Sequence, residues 1–486
     1  MIVTWVTFGW LSYGRLQAQS SILHSGSWYK MAILKDGVYK IDYNYLKNMG
    51  LNPDAIDPRN IKIYGNEGGM LPPLNNIARP NDLTENAIFV SGEGDGIFNS
   101  NDFILFYAQG PDKSSFRPEM EIFYYQHNIY SDQNFYFLTV SASSGKRIGA
   151  SEDIAGSFPA VSTFNDYVYH ELNEYSELKS GREWYGEKLE SNASFSLKIP
   201  MSGISSGSSI RLVSDVMAKS VWGSVFKLSF NNVPAAEQYV LPIAGGQYTP
   251  KGHHAMDTID IDASHASGAP EPEITYHYIP QGPAGTGYIN FLLISYVRAL
   301  SLYGNQTIFQ SGASLTNAIS RFEVANAAGT TIWDITDPYE VNNQPYALSS
   351  STAVFSVNTT TLKKFVIFNN SFSSPEFVDH IPNQNLHGLS APDMVIVTHP
   401  LLLGEAQRLA AHRRQHSGLS VAVVTTHEVY NEFSSARQDV TAIRDFVKYL
   451  YDKSPGTLKN LLLFGRCSYD YKGRISNNTN LVPTYA

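Results

Sequence analysis

Cysteine is nearly absent from this sequence, which has one cysteine among 486 residues. A single thiol excludes both an internal disulfide framework and a cysteine-based zinc site. Charged residues are also scarce, at 16% against about 25% in an average globular chain. The formal charge of −9 argues against a nucleic-acid partner, because phosphate contact needs a basic surface. Past residue 20 no apolar run approaches the roughly 20 residues of a membrane span, so we expect no transmembrane helix in the mature chain.

Aromatic residues are plentiful, with 30 Tyr, 25 Phe and 6 Trp. This apolar surface argues against intrinsic disorder, since disordered chains cannot offset the entropy of ordering. At about 150 residues per domain, the length predicts roughly three domains. The aromatic residues could form a carbohydrate-binding face, but aromatic side chains at strand spacing more often belong to the core or to the packing between sheets.

The first residues have the pattern of a secretory signal peptide. An apolar stretch from Ile2 to Leu11 is followed by Leu16-Gln17-Ala18, a small-residue cleavage site. We therefore predict a signal peptide over residues 1–18 and export of the mature chain. The alternative interpretation is a buried N-terminal strand.

Two β-rich regions are predicted after the signal peptide, over residues 19–160 and 161–390. Short apolar runs alternate with Gly, Asn, Asp and Ser turns, a pattern typical of β-sandwiches or barrels. Asp36-Gly37 lies between the runs 28–34 and 38–41, which predicts a local hairpin. Residues 43–50 predict one short helix that ends at a glycine.

Residues 391–486 have a different pattern, which predicts the beginning of an α/β domain with a parallel sheet. Alternating strands and helices require right-handed crossovers. With only three strands, such a sheet leaves a bare apolar edge, so we expect the domain to be incomplete and the chain to be a fragment. The predicted elements are strands over 393–398, 419–425 and 461–464 and helices over 403–417, ended by Gly418, and 440–453.

The carboxyl ends of the three predicted strands carry the residues best suited to catalysis. These strand ends are the segments 398–400, 425–428 and 465–470, which include His399, His427 and Cys467. A thiol and an imidazole on one edge are the parts of a cysteine nucleophile with its base. The alternative is that Cys467 is a small turn residue and that the histidines are ordinary loop residues.

Other candidate sites are weaker. Residues 427–431 begin like a zinc-binding helix but have no second histidine four residues on. His253 and His254 are expected in a solvated turn, and the glycine-rich segment 282–287 in a turn that enters a strand.

A calcium site is a further candidate in the turn 94–102. Its oxygen ligands would come from Asp95, Asn99, Asn101 and Asp102. The spacing is not that of an EF-hand, because Ile97 occupies a ligand position. A turn held by Asn and Asp side chains explains the same residues without calcium.

Several segments together show a resemblance to a known family. Residues 28–41, 94–107, 333–338 and 383–388 resemble the N-terminal region of the sortases of the type IX secretion system. The segments 439–446 and 461–470 resemble the opening of a gingipain-type cysteine peptidase domain, which implies that residues 391–486 are the start of a caspase-like α/β domain. The resemblance covers most of the chain after the predicted signal peptide.

This resemblance implies a surface enzyme of Bacteroidetes, located at the outer membrane. It would cleave the C-terminal secretion signal from exported cargo and attach the cargo to a lipopolysaccharide. The implied partners are secreted cargo, other type IX secretion components and the lipopolysaccharide acceptor, and no cofactor is required.

The family's catalytic His–Cys pair follows later strands, so we expect it beyond Ala486 and assign no catalytic residue here. The fragment itself is then predicted to be inactive. Arg466 stands where relatives carry an acidic residue, and Cys467 does not match the family nucleophile.

Two other functions remain open from the sequence. One is a non-catalytic surface adhesin or glycan-binding β protein. The other is a secreted gingipain-like peptidase that degrades proteins and differs from a sortase only in its substrate.

Overall fold

The computed structural model describes residues 20–177, 182–205, 207–266 and 271–485. The predicted signal peptide, residues 1–18, lies outside the described residues. Among the residues described, no helix is long and apolar enough to cross a bilayer.

Two sheets form the N-terminal layers. The outer sheet, here called the N-terminal sheet, is antiparallel and draws one strand from far along the chain. Helix α1 (Tyr43–Asn48) is capped by Asp42, whose carboxylate accepts the Tyr45 N–H at 2.9 Å. Buried apolar side chains, among them Met31, Ile63 and Phe106, fill the space between the two sheets. In spatial order the strands are Glu376–Ile381, Trp28–Ile33, Asn134–Val140, Ile61–Gly65 and Glu85–Asn86 in the N-terminal sheet, and Gly37–Asp42, Phe103–Ala108 and Ile88–Val90 in the inner sheet.

The predicted hairpin at Asp36-Gly37 is wrong. The strand Trp28–Ile33 pairs with Asn134–Val140, whereas Gly37–Asp42 pairs with Phe103–Ala108 in the other sheet. The turn therefore carries the chain from one layer to the next. Both strands bury residues on both faces, which a two-stranded hairpin with a solvated face would not allow.

Two further sheets continue the stack. Trp333 and Val366 of the third sheet pack against Leu105 and Tyr107 of the inner sheet. On its other face the third sheet packs on the fourth through a cluster of phenylalanines. The strands of the third sheet are Gly149–Ala150, Asn342–Asn343, Thr331–Asp334, Phe365–Phe368 and Gln306–Phe309, and those of the fourth are Ala160–Val161, Ile319–Val324, Thr352–Asn358 and Ala347–Ser349.

A β-sandwich lies in the middle of the sequence, here called the middle sandwich. Ile210, Phe226, Tyr276 and Ile294 lie fully or almost fully buried between its sheets. A separate hairpin, Lys113–Arg117 with Ile122–Gln126, packs Phe116 and Phe123 against Leu293 of the first sheet. The strands are Thr163–His170, Thr286–Ala299, Ser209–Lys219 and His253–Asp262, with Lys188–Glu190 beside them, in the first sheet and Ser194–Lys198, Glu273–Pro280, Ser224–Phe230 and Val233–Val240 in the second.

The expectation of a solvated turn at His253 and His254 is wrong, because both residues begin the strand His253–Asp262. His254 Nδ1 lies 3.4 Å from Asp215, and its Nε2 lies 2.9 Å from the Tyr185 hydroxyl. The hydrogen bond to Asp215 raises the pKa of His254, although burial opposes it.

The C-terminal part is an α/β unit with a parallel sheet, as predicted. The strand Met394–Thr398 is central, between Val421–Thr425 and Asn460–Phe464. Helix α2 (Leu403–Ser417) covers one face, and α3 (Thr426–Phe433) and α4 (Val440–Lys453) cover the other. The predicted fold class, β-rich regions followed by the start of a caspase-like domain, is confirmed.

The domain boundaries at residues 18, 160 and 390 stay a prediction. The strand Glu376–Ile381 pairs with Trp28–Ile33, and Gly149–Ala150 pairs with Asn342–Asn343. Segments on either side of residue 160 therefore share sheets.

Candidate functional site

The carboxyl edge of the parallel sheet brings two predicted histidines together. His399 follows the central strand and His427 follows the adjacent strand, and their rings meet edge to face with centroids 5.6 Å apart. The Thr398 hydroxyl donates to the Phe464 carbonyl at 2.9 Å, which ties the end of the central strand to the third strand. The predicted meeting of these strand ends at one edge follows from the parallel order of the sheet.

Burial disfavours the charged form of both histidines. Burial lowers the pKa of His399. Burial also lowers the pKa of His427, and the positive charge of Lys30 lowers it further. A neutral imidazole offers one nitrogen lone pair, so either ring has the protonation state of a base.

Cys467 lies in a surface groove whose lining does not include His399 or His427. It is exposed in this groove of about 440 Å³, which is also lined by Ser468, Tyr469, Ile475 and Thr484. No histidine lines this groove among the described residues. The structure therefore gives Cys467 no imidazole contact in the described ranges, and its role as a nucleophile stays a hypothesis.

A buried ion pair that sequence reasoning missed joins α3 to the segment that precedes the parallel sheet in the sequence. His387 and Glu432 are almost completely buried, and His387 Nδ1 donates to Glu432 Oε2 at 2.6 Å. His387 Nε2 donates to the Asn81 carbonyl at 2.7 Å, so both ring nitrogens carry protons. The other Glu432 oxygen accepts the Leu386 N–H at 2.8 Å and the Gln384 amide at 2.9 Å. We call this pair and its partners the buried clamp.

The clamp joins three parts of the chain. Glu432 belongs to α3, His387 precedes the parallel sheet, and Asn81 belongs to the N-terminal layers. The imidazole of His387 stacks on Phe433 at 4.6 Å with planes 9° apart. Tyr449 of α4 donates to the His387 carbonyl at 2.8 Å. The clamp therefore fixes α3, α4 and the N-terminal layers relative to one another.

The pKa values favour the charged form of the pair. Burial by itself would lower the pKa of His387, but the hydrogen bond to Glu432 and the charge of Asp82 outweigh it and raise the pKa. Burial would raise the pKa of Glu432, but hydrogen bonds from His387, Gln384 and Leu386 lower it.

Stability should depend on pH through His387. A histidine with a raised pKa stabilises the fold fully below its unfolded pKa of about 6.5, and that contribution is lost as pH rises through the folded value. Between about pH 6 and about pH 9 the wild type should lose more stability than a His387→Gln variant. Hydrogen exchange of the α3 amides at both pH values measures this difference. Equal losses in the two proteins would contradict a charged His387.

A second polar contact seats the α/β unit on the N-terminal sheet. It lies in the turn 434–439 between α3 and α4, here called the seating turn. Buried Arg437 donates to the Glu67 carbonyl at 2.7 Å and to the Asn134 side chain. The Ser435 hydroxyl donates to the Phe135 carbonyl at 2.8 Å, and Asp439 accepts the Leu71 N–H at 2.8 Å. Arg437 and Asp439 therefore both form hydrogen bonds that join the α/β unit to the N-terminal layers.

The predicted calcium ligands lie in one turn, and three of them, Asp95, Asn99 and Asp102, accept backbone N–H groups there. Asp95 accepts the Ile97 N–H at 3.0 Å, and Asn99 accepts the Asn101 N–H at 3.1 Å. Buried Asp102 accepts the Asn99 N–H at 2.8 Å. No group of three or more His, Cys, Asp or Glu side chains suited to a metal occurs in the described part of the chain. The calcium site stays a prediction, and the alternative of an Asn- and Asp-rich turn accounts for each of these bonds.

This turn also depends on Gly92. Its φ is +78°, and a Cβ there would lie 1.7 Å from Asp102 Oδ1. Gly92→Ala should therefore cost about 1–3 kcal/mol, from backbone strain and displacement of Asp102. The matched control is Gly94→Ala, because Gly94 has open space around it and no positive φ; its effect should stay within about 0.5 kcal/mol. Hydrogen exchange of the strand Phe103–Ala108 measures both, and equal effects would contradict the steric argument.

Comparison with known proteins shows what the α/β unit is similar to. Residues 387–486 match Peptidase family C25. The likeness to this family is confined to the C-terminal part of the chain. The match begins at His387 of the buried clamp. It covers the parallel sheet, its helices, and His399 and His427 at the carboxyl edge of the sheet. No curated protein matches the chain in sequence.

The whole β and α/β arrangement is similar to a solved structure. Dimeric latent PorU from Porphyromonas gingivalis superposes with a TM-score of 0.82 at 24% identity, over 96% of this chain and 44% of that chain. The chain thus spans less than half of the PorU chain it matches, and the likeness shows a shared fold. The β-porphyranase of glycoside hydrolase family 86 from Bacteroides plebeius aligns over 56% of this chain and 35% of that chain, at 10% identity and a TM-score of 0.17, which is too low to carry an argument.

The clamp and the seating turn could have been found only in part from the sequence. Thr425 and Glu428 form a capping box at the start of α3, a local signal that marks a helix and was overlooked. With α3 in place, Glu432 becomes a charged residue on a buried helix face. Its partner His387 is 45 residues earlier, and no local pattern joins the two.

Proposed function

We propose that this protein is part of a type IX secretion sortase that acts at the bacterial surface. It cleaves the C-terminal secretion signal from cargo proteins and transfers the new end to a lipopolysaccharide. The family C25 match over residues 387–486 supports a cysteine peptidase. The observation that carries the rest is the PorU-like arrangement of the β layers around that segment, at a TM-score of 0.82.

The β-rich part has a mechanical role in this proposal. The buried clamp and the seating turn hold α3 and α4 against the N-terminal sheet through buried, hydrogen-bonded charges. A peptidase that works on bulky cargo needs its active-site edge in a constant position relative to the surfaces that present the cargo. The β layers, together with other type IX secretion components as partners, supply those surfaces.

Deletion of the gene in its own bacterium tests this function. Exported cargo should then keep its C-terminal signal, which mass spectrometry of the C-terminal peptides detects, and it should lose attachment to lipopolysaccharide. Complementation with the wild-type gene and with an Arg413→Ala variant, a change at an exposed residue of α2, should restore both. Normal cargo processing in the deletion strain, with a loss of general proteolysis instead, would favour the secreted gingipain-like peptidase.

We also propose that residues 1–486, produced by themselves, have no thiol peptidase activity. Cys467 lies in a groove that no described histidine lines, so it has no base to activate it. Peptide cleavage should be at background for the wild type and unchanged for Cys467→Ala. Cleavage that iodoacetamide blocks and that Cys467→Ala abolishes would overturn this prediction.

A further inference from the structure

The third strand of the parallel sheet is followed by a segment that is neither helix nor strand, residues 466–480, here called the exit loop. Residues of the exit loop form most of the groove beside Cys467. Because no regular element fixes the exit loop, its position depends on side-chain contacts with other parts of the chain. These contacts are concentrated between Tyr469 and Arg474.

Tyr469 and Arg474 contact the same tryptophan. Trp184 lies in the segment that leads into the strand Lys188–Glu190 and is almost completely buried. The rings of Trp184 and Tyr469 stack with centroids 6.4 Å apart and planes at 29°. The Arg474 guanidinium lies 4.9 Å from the centre of the Trp184 ring. The exit loop is thus held against a segment of the middle sandwich on either side of Lys472 in the sequence.

Lys472 makes the charged contact of the exit loop. Its side chain is only 4% exposed. The ammonium donates to Asp132 at 2.5 Å and to His127 Nε2 at 3.1 Å. His127 directly follows the hairpin strand Ile122–Gln126, and Asp132 lies just before the strand Asn134–Val140. One ammonium therefore ties the exit loop to the separate hairpin and to the N-terminal layers.

The contact between His127 and Lys472 requires a neutral imidazole. His127 Nδ1 lies 3.3 Å from the Asp112 carboxylate, which can only accept, so Nδ1 carries the proton. The Lys472 ammonium can only donate, so the lone pair of Nε2 must accept. A protonated imidazole has no lone pair and carries a positive charge, which is unfavourable beside an ammonium. The His127 side chain is 25% exposed, so protons from solvent can reach it.

The neighbouring charged groups do not change state in the range where a histidine titrates. Burial alone would raise the pKa of Asp112, but hydrogen bonds from His127 and Tyr125 lower it, so Asp112 stays ionised. Burial lowers the pKa of Lys472, and the carboxylate of Asp132 opposes this effect. Within the described ranges, none of the other charged groups of the surrounding elements hydrogen-bonds the His127 ring. They are Asp36, Glu171, Arg182, Asp470 and Arg474.

We propose that His127 and Lys472 form a proton-sensitive latch, which holds the exit loop at neutral pH and releases it in mild acid. Protonation of His127 removes the acceptor of the Lys472 ammonium and sets two cations side by side. The ammonium then moves toward solvent together with Asp132, whose side chain is 70% exposed. Because the exit loop lines the groove beside Cys467, the groove changes shape in the same step. The latch is a contact within the chain, so the proposal does not rest on the sortase function.

Hydrogen exchange of the full chain, followed by mass spectrometry, tests the latch at about pH 7.5 and about pH 5.5, on either side of the range in which histidines change charge. His127→Gln supplies a neutral amide oxygen as acceptor at both pH values. Wild type and variant are compared at the same pH, so the intrinsic effect of pH on exchange cancels. Peptides that cover residues 468–478 should exchange equally at the higher pH. At the lower pH they should exchange about tenfold or more faster in the wild type.

Two further variants make the test specific. His416→Gln, the same change at an exposed histidine of α2, should behave as the wild type at both pH values. Lys472→Met removes the ammonium and leaves only exposed Asp132 without its partner. In the Lys472→Met background, His127→Gln should no longer alter exchange of the exit loop at the lower pH, because the second cation is gone.

Two results would overturn the proposal. One is equal exchange of residues 468–478 in the wild type and His127→Gln at the lower pH, since protonation of His127 would then not release the exit loop. The other is a difference between these two proteins that persists in full when Lys472 is replaced by Met. The acid response would in that case come from a group other than the Lys472 ammonium.

Discussion

Glu432→Ala should open the packing of α3 and α4 and lower the local free energy of unfolding by about 3–5 kcal/mol. The change removes one member of a buried ion pair and leaves the charged imidazole of His387 without its partner. It also leaves the Leu386 N–H and the Gln384 amide without the acceptor that they now share. Hydrogen exchange of the α3 and α4 amides gives the local opening free energy, because such exchange reports each cooperative unit separately.

Two further variants serve as comparisons for the stability loss of Glu432→Ala. Glu432→Gln keeps the shape and one carbonyl acceptor but removes the charge, so its loss should be smaller than that of Glu432→Ala. Glu405→Ala removes an exposed glutamate of α2 that pairs with exposed Arg408, and it should cost less than about 1 kcal/mol. A loss below about 1 kcal/mol for Glu432→Ala would show that the buried clamp does not hold these helices.

Arg437→Ala should separate the α/β unit from the N-terminal sheet, at a cost of about 3–5 kcal/mol. It removes the donor to the Glu67 carbonyl and the Asn134 side chain, and it deprives buried Asp439 of a nearby positive charge. Protease digestion under native conditions should then cut the segment that leads into the parallel sheet, because local opening exposes it. In the complementation experiment described above, the proposed cargo processing should fall with this loss of seating.

The comparison for this variant is another arginine of the same unit. Arg413→Ala on exposed α2 should change stability by no more than about 0.5 kcal/mol. The stability loss of Arg437→Lys should lie between those of Arg437→Ala and Arg413→Ala, since a lysine keeps the charge but not the planar set of donors. Equal protease resistance of Arg437→Ala and Arg413→Ala would mean that the seating turn does not fix the α/β unit.

The elements that sequence reasoning placed well are those with local signals. The spacing of apolar residues predicted α4 over Val440–Lys453, and Gly418 marked the end of α2, where its φ is +65°. The three parallel strands were predicted because unbroken apolar runs separated by helices allow few other folds. These signals lie within a few residues of the structure that they determine.

The features that sequence reasoning missed depend on partners far along the chain. Asp36-Gly37 is a correct turn signal, but it cannot show that the strands on either side pair elsewhere. His254 begins a strand because Asp215 and Tyr185 satisfy its ring, and these contacts reach across 39 and 69 residues. His387 and Glu432 form an ion pair only because packing buries both. In each case the deciding energy comes from tertiary contact, which local propensity does not contain.

The pairing of Glu376–Ile381 with Trp28–Ile33 also sets an order of events for a chain that emerges from its amino end. One edge of the strand Trp28–Ile33 stays unpaired until about 350 further residues have appeared, since Trp28 has Ile381 as its partner. Contacts between residues so far apart in sequence form slowly, because a long loop must close first. An open strand edge meanwhile invites pairing with other chains. The growing chain is therefore prone to aggregation, and a substrate for chaperones, until the last β-strand before the α/β unit has been added.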